Sequence, residues 1–252
     1  MTDKKLMEKR RNVELIVISD VHLGTFGSQA GKLHEYLRSV HPRTLVLNGD
    51  FIDFWQLSSW YWPESHQLVL EAIRDYLDEG VRVYYLPGNH DEVLRRFLLG
   101  SLLRLQLVNE LELELDGKRA WFIHGDIYDF TMKSRLVTKL GAFSYGAAVI
   151  FNKGINALLR PLTGREIRFS KAIKHWVKRK VRSVEDFQQK AIDVALEKEA
   201  DYLVCGHNHL PEIRNVNEGN RSVLYLNSGD WIENRSALEY NGGTWSLYYH
   251  NP

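Results

Sequence analysis

Five short segments of the 252-residue chain bring carboxylate, imidazole and amide groups close together: Asp20-Val21-His22, Gly49-Asp50-Phe51-Ile52-Asp53, Gly88-Asn89-His90-Asp91, His124-Gly125-Asp126 and Gly206-His207-Asn208-His209. Oxygen and nitrogen donors in this mixture suit hard or borderline divalent cations. Two such ions about 3.5–4 Å apart need a shared carboxylate to screen their repulsion, with imidazoles and further oxygens around them. Residues two apart at a strand end point the same way. Asp20 and His22 are therefore expected to grip one ion together, and His207 and His209 to straddle a pair. Asn89 offers a neutral carbonyl oxygen where another carboxylate would over-neutralise the charge. Glycines 49, 88, 125 and 206 would let backbone approach the centre closely.

Singly, each segment says little. Asp20 or Asp50 alone would serve as a helix cap, and Asp91 is read as the cap of a helix opening at Glu92-Val93. The isolated His34, His41, His66, His175 and His250 are read as surface residues or satisfied core residues. It is the full set, each member directly after a strand signal, that points to a metal centre.

The elements behind those segments follow from hydrophobic spacing. Val13 to Ser19 has the β-branched and aliphatic run of a buried strand, Gly31 to Val40 has helical spacing, and Thr44 to Leu47 is a second strand. His66 to Glu79 is a second helix ended by Gly80, and Val81 to Leu86 a third strand. Strand–helix–strand order favours parallel pairing through right-handed crossovers. A hairpin follows, with Leu111 to Leu115 and Ala120 to Ile123 joined at Asp116-Gly117. Residues 129 to about 199 read as helical throughout. Beyond them come strands at Tyr202 to Cys205, around Glu212, and at Ser222 to Leu226, Ser236 to Tyr240 and Thr244 to Tyr249, with a Gly242-Gly243 turn. Ligands of open α/β sheets collect where the strands run out at their carboxyl ends. One domain over 1–252, with a helical lid inserted at 129–199, would let the five loops converge.

The ordered pattern D-x-H, G-D-x-x-D, G-N-H-[DE], a histidine before Gly-Asp, and G-H-x-H resembles that of the calcineurin-like metallophosphoesterases. The resemblance spans Val13 to His209. It implies an α/β (α+β) fold, a four-layer α-β-β-α sandwich. It implies two divalent ions, one held by Asp20, His22, Asp50 and His209, the other by Asp50, Asn89, His124 and His207, with Asp50 as the bridge. Manganese is the ion the resemblance favours; iron, zinc and nickel suit the same donors. Bound cations bring the pKa of water towards 7 and offset charge on phosphoryl oxygens, so phosphoester hydrolysis is the implied reaction. His90 is then placed to protonate the leaving oxygen with Asp53 behind it, the plainer alternative being that His90 only orients Asn89. Asp126 would orient His124, and Asp230 and Trp231 would line the site.

Within that superfamily the chain looks most like the UDP-2,3-diacylglucosamine pyrophosphohydrolases, which cleave a lipid A precursor and release UMP. The segments Ser19 to Gly24, Asp53-Phe54-Trp55, His124 to Asp129 and Leu226 to Trp231 carry this closer likeness, together with the helical insertion. One residue departs from it: that group usually carries arginine after the metal-binding asparagine, and here the residue is His90. Imidazole cannot reproduce a bidentate guanidinium contact with phosphate.

Composition bounds the alternatives. Hydrophobic residues at 44% and charged residues at 26% exclude a disordered or polytopic membrane chain, and the single Cys205 excludes a disulfide scaffold. The apolar run from Val13 to Ile18 is short for a signal peptide, which gives a cytoplasmic expectation. Of 33 basic residues, thirteen fall between Thr131 and Arg182 against Glu166 alone. Phe169, Ile173, Trp176 and Val177 share a helical face there, flanked by Lys171, Lys174, Lys178 and Arg179, a pattern suited to peripheral contact with an anionic membrane. A nuclease is the less favoured reading, because those aromatics are not interleaved with lysines as stacking platforms. A protein phosphatase and a metal-free scaffold complete the alternatives; all seven candidate ligands are present, which argues against the scaffold.

Overall fold

The computed structural model describes residues 10–57, 61–97, 105–128 and 186–250. The first sheet is built from β1 (Arg11–Ile18), β2 (Val40–Asn48), β3 (Arg82–Leu86), β4 (Gln106–Leu107), β10 (Ser236–Asn241) and β11 (Thr244–Tyr249), in the order β11-β10-β1-β2-β3-β4. The second contains β5 (Leu111–Leu115), β6 (Lys118–Phe122), β7 (Tyr202–Cys205), β8 (Glu212–Glu218) and β9 (Arg221–Asn227), in the order β5-β6-β7-β9-β8. Strands β1 to β4 are mutually parallel, as are β6, β7 and β9, while β10, β11, β5 and β8 run antiparallel to their neighbours.

Alternation along β1 sorts its side chains between two cores. Ile16 and Ile18 pack with α1 (Ala30–Ser39) and α2 (Glu64–Asp78), while Leu15 and Val17 meet Phe122, Val204 and Leu226 between the two sheets. A strand covered on both faces reads as one continuous apolar run, which is why β1 was legible in sequence. Helix α1 buries Ala30, Leu33, Tyr36 and Leu37, and α2 buries Val69, Ala72, Ile73 and Tyr76, each at the three-to-four spacing of a single helical face. A third helix, α3, spans 186–197. Its end is tied to the second sheet, where Arg221 donates to the Leu196 carbonyl at 3.1 Å and Lys198 pairs with Glu112 at 3.1 Å.

Two sequence expectations need adjustment, and a third lies beyond the described residues. Strand β2 starts at Val40, before the expected Thr44, and carries Pro42 opposite Val13. Pairing with β3 begins only at Thr44, so Pro42 lies where β2 has a neighbour on one side, and proline is tolerated there. The helix expected to open at Glu92 is present over Glu92–Phe97 but takes the tighter 3-10 form. The helical lid expected at 129–199, with its apolar and basic faces, lies outside the described residues up to 185. Among the described residues, no helix is long and apolar enough to cross a membrane. The hairpin does match: Asp116 and Gly117 have φ of 50° and 77°, the paired positive values that a tight primed turn requires.

Candidate metal centre

The five motif segments follow β1, β2, β3, β6 and β7, and backbone hydrogen bonds lace their loops together. Asp20 N–H donates to the Gly49 carbonyl at 3.0 Å, His22 N–H to the Asp50 carbonyl at 2.9 Å, and Gly206 N–H to the His124 carbonyl at 3.0 Å. Strand alternation does not aim the paired ligands. Asp20, His22, Asp50, His207 and His209 all take left-handed backbone conformations, with φ of 53°, 52°, 51°, 69° and 61°. Such conformations cost on the order of 1–3 kcal/mol each and persist where the surroundings over-determine them. The D-x-H and H-x-H pairs thus converge because the chain coils tightly just past each strand end.

Three groups of ligand atoms result, in each of which the atoms lie within 4.8 Å of one another: Asp20, His22 and His209; Asp50, His124 and His207; and His22, Asp53 and His90. The imidazoles are held from behind. Nδ1 of His124 lies 2.8 Å from the Asn48 carbonyl oxygen, Nδ1 of His209 3.0 Å from Asp230 Oδ2, and Nδ1 of His22 3.3 Å from Asp53 Oδ2. A ring that donates its Nδ1 proton to such an acceptor keeps its Nε2 lone pair for a cation. Those Nε2 atoms point inward: His124 to within 3.4 Å of Asp50 Oδ2, His209 to within 3.4 Å of Asp20 Oδ1, and His22 to 4.0 Å from Asp50 Oδ2.

Four buried atoms, Asp20 Oδ1, His22 Nε2, Asn89 Oδ1 and His124 Nε2, have no hydrogen-bond partner. One buried unsatisfied polar atom costs about 1–3 kcal/mol, so several gathered at a single point need a common explanation. Metal ligation supplies it, because a cation is satisfied by the very lone pairs that hydrogen bonds leave over. The protonation balance points the same way. Burial opposes charge on His124, yet Asp50 and Asp20 outweigh it and raise the pKa to about 10. Burial likewise opposes charge on Asp50, which His124 and His22 hold well below the usual carboxylate range. The site therefore favours bound positive charge, and the donor set fits a pair of divalent cations.

Residues 13–211, most of the chain, match the pattern of the Calcineurin-like phosphoesterase family. The chain belongs to the calcineurin-like phosphoesterases. A UDP-2,3-diacylglucosamine hydrolase of Stenotrophomonas maltophilia is 27% identical over 256 residues, covering 92% of this chain and 96% of that protein. A protein of the same name from Proteus mirabilis is 29% identical over 217 residues, covering 80% and 84%. Among solved structures, Yfce, a phosphoesterase from E. coli, aligns with a TM-score of 0.49 at 15% identity, over 94% of this chain and 93% of that one.

The surroundings of the phosphoesterase site depart from expectation in four places. Asp126 does not face the His124 ring nitrogen; it pairs with Arg95 at 2.9 Å, and the Asn48 carbonyl orients the ring instead. Trp231 was expected to line the site, but its indole is fully buried in the core and stacked on Tyr36 with ring centroids 5.6 Å apart. Only its backbone reaches the loop, where its N–H donates to the Asp20 carbonyl at 3.1 Å. Asp91 is no helix cap: its fully buried carboxylate accepts from Gly88 N–H at 2.6 Å, Phe51 N–H at 2.8 Å and Tyr85 O–H at 2.5 Å. Asp53 stands behind two histidines, 2.8 Å from His90 Nδ1 as well as 3.3 Å from His22 Nδ1.

Asp53 is itself pinned by Trp55 N–H and Gln56 N–H at 3.0 and 2.9 Å, and the Trp55 ring lies over His90 with centroids 4.1 Å apart. Burial would raise the Asp53 pKa, but His22 and His90 bring it well below the usual range and keep the carboxylate ionised. Cys205 is buried, and that burial raises its thiol pKa, so the thiol is inert. Asn48 was beyond sequence reasoning, since a backbone carbonyl leaves no mark on residue identity. Arg95 carried no signal either, because its partner comes from a loop after another strand.

Proposed function

We propose that this phosphoesterase hydrolyses a phosphoanhydride or phosphodiester bond in a lipid-linked nucleotide of the UDP-2,3-diacylglucosamine kind, releasing a nucleoside monophosphate such as UMP. The convergence of ligand groups from the ends of five strands, four of their buried atoms without a hydrogen-bond partner, carries the hydrolytic part of this reading. The curated relatives support the substrate class. Asp20, His22, Asp50 and His209 would hold one cation and Asp50, Asn89, His124 and His207 the other, with manganese favoured. When bound, such a pair polarises phosphoryl oxygens and acidifies water at the site.

The chain's own residues supply the rest. Asp53 and Asp230 would fix the rings of His22 and His209 so that their Nε2 atoms stay directed inward. His90 would donate a proton to the leaving oxygen. Asp53 beside its Nδ1 fixes the ring and favours the protonated form, leaving the other nitrogen to act. Asn89 would add an oxygen without adding charge.

His90 also motivates a second reading. Without a guanidinium at that position, a phosphodiester with a good leaving group is better matched than a pyrophosphate that needs bidentate clamping. Hydrolysis of UDP-2,3-diacylglucosamine and of bis-p-nitrophenyl phosphate, measured side by side with Asp50→Ala as blank, separates the two. Turnover of the UDP-lipid at the higher kcat/KM is the expected result. Diesterase activity alone selects the second reading, and no activity on either compound with added manganese defeats both.

A further inference from the structure

Asp50 and Asp91 exchange hydrogen bonds with each other's loops. Asp50 Oδ1 accepts His90 N–H at 2.7 Å, while Asp91 Oδ1 accepts Asp50 N–H at 3.3 Å and Asp91 Oδ2 accepts Phe51 N–H at 2.8 Å. The exchange has a geometric result. With Oδ1 committed to the 90 loop, Asp50 presents Oδ2 alone to the histidines, 3.4 Å from His124 Nε2 and 4.0 Å from His22 Nε2. Asp91 is fully buried; it also accepts from Ile52 N–H at 3.4 Å, and from Gly88 N–H at 2.6 Å and Tyr85 O–H at 2.5 Å, which fix it to the end of β3. Nothing can slide here without breaking charge-assisted bonds, the stronger class of hydrogen bond. Asp50 also sits at a φ of 51°, a conformation that its backbone would leave if it were not held. At Gly88 there is no room for adjustment, since an added Cβ would lie 2.3 Å from Asp50 Oδ1.

We infer that Asp91 is the positioning residue for Asp50, so that it governs the binding of both cations at once although it touches neither. The inference rests on the two-cation reading, in which Asp50 is the shared ligand. Asp91 acts through backbone donors, and an asparagine there would keep the shape but aim an NH2 group at N–H donors that need an acceptor.

The test is manganese titration of the chelator-stripped full chain by calorimetry, with circular dichroism to report folding. Wild type, Asp50→Ala, Asp91→Asn and Tyr85→Phe are compared. Wild type is expected to take up two ions and folded Asp91→Asn to bind both at least about 10-fold more weakly. Tyr85→Phe, which leaves the carboxylate but removes one donor to it, is expected to weaken both measurably, by less than Asp91→Asn does. Folded Asp91→Asn that binds with wild-type affinity, or loses one ion only, overturns the inference. So does a lowered melting temperature with unchanged manganese affinity, the signature of a purely structural role. If Asp91→Asn does not fold, Tyr85→Phe decides: weakened binding supports the role and unchanged binding overturns it. A wild-type chain that takes up no manganese defeats the two-cation reading itself, a result distinct from all the others.

Discussion

At the scale of single residues, Gly49 shows how little freedom the centre leaves. Its φ is 88°, and a Cβ there would lie 2.1 Å from His124 Nδ1, on the side where that nitrogen meets the Asn48 carbonyl. Gly49→Ala therefore combines backbone strain with a clash that the buried ring cannot escape. A loss of more than about 3 kcal/mol in a denaturant melt is expected, and a wild-type midpoint would contradict the geometry. This demand was partly legible, since glycine before a ligand carboxylate suggests close approach. What the chain could not show in one dimension is which side chain would occupy the space. The same limit explains Asp126 and Trp231: the family likeness implied roles at the site for both, whereas Asp126 turns to Arg95 and Trp231 turns into the core.

At the scale of elements, the turn after β9 is a unit with two duties. Asp230 Oδ1 accepts the N–H groups of Ile232, Glu233 and Asn234 at 3.1, 2.9 and 2.8 Å, and its Oδ2 holds His209 Nδ1 at 3.0 Å. Burial alone would raise its pKa, but His209 and those N–H donors bring it down to about 2. Asp230→Asn separates the duties, because the amide oxygen can still cap the turn while the NH2 group cannot accept from the imidazole. The ring proton would then move to Nε2, the inward nitrogen. Manganese affinity is expected to fall about 10–100-fold with the melting temperature of the metal-free chain nearly unchanged, and unaltered affinity would refute the tautomer argument. Strands and helices were legible wherever one periodicity dominated, as in β1, α1, α2 and the Asp116-Gly117 hairpin. The start of β2 was not, because Pro42 reads as a breaker until its one-sided neighbourhood in the sheet is known. Nor could the left-handed pair at Asp20 and His22 be foreseen, because aspartate and histidine enter that region more readily than most residues but still only in a small minority of positions.

At the scale of the whole molecule, the metal-free chain concentrates strain, unpaired buried atoms and charge of both signs at one end of its strands. Ligand binding to the folded state alone stabilises by mass action, about 2.7 kcal/mol at a hundredfold excess over Kd. For a chain of this size that corresponds to a rise of roughly 5–10 °C in Tm. Scanning calorimetry with manganese, against a chelator-treated sample, is expected to show such a rise, and coincident transitions would argue against a buried cation site.

The central strand β1 is flanked on one side by β2 and on the other by β10, and Arg11 pairs with Glu239 across 228 positions of sequence. The Asp20 loop likewise waits on Trp231, whose backbone N–H completes it. During synthesis, the Asp20 loop must therefore stand half-formed until Trp231 and β10 have followed. Contacts of such long range make acquisition of the native state slow. A truncation before β10 would then abolish ion uptake rather than trim an edge, and co-translational chaperoning would act on an intermediate whose central strand β1 still lacks one of its two neighbours.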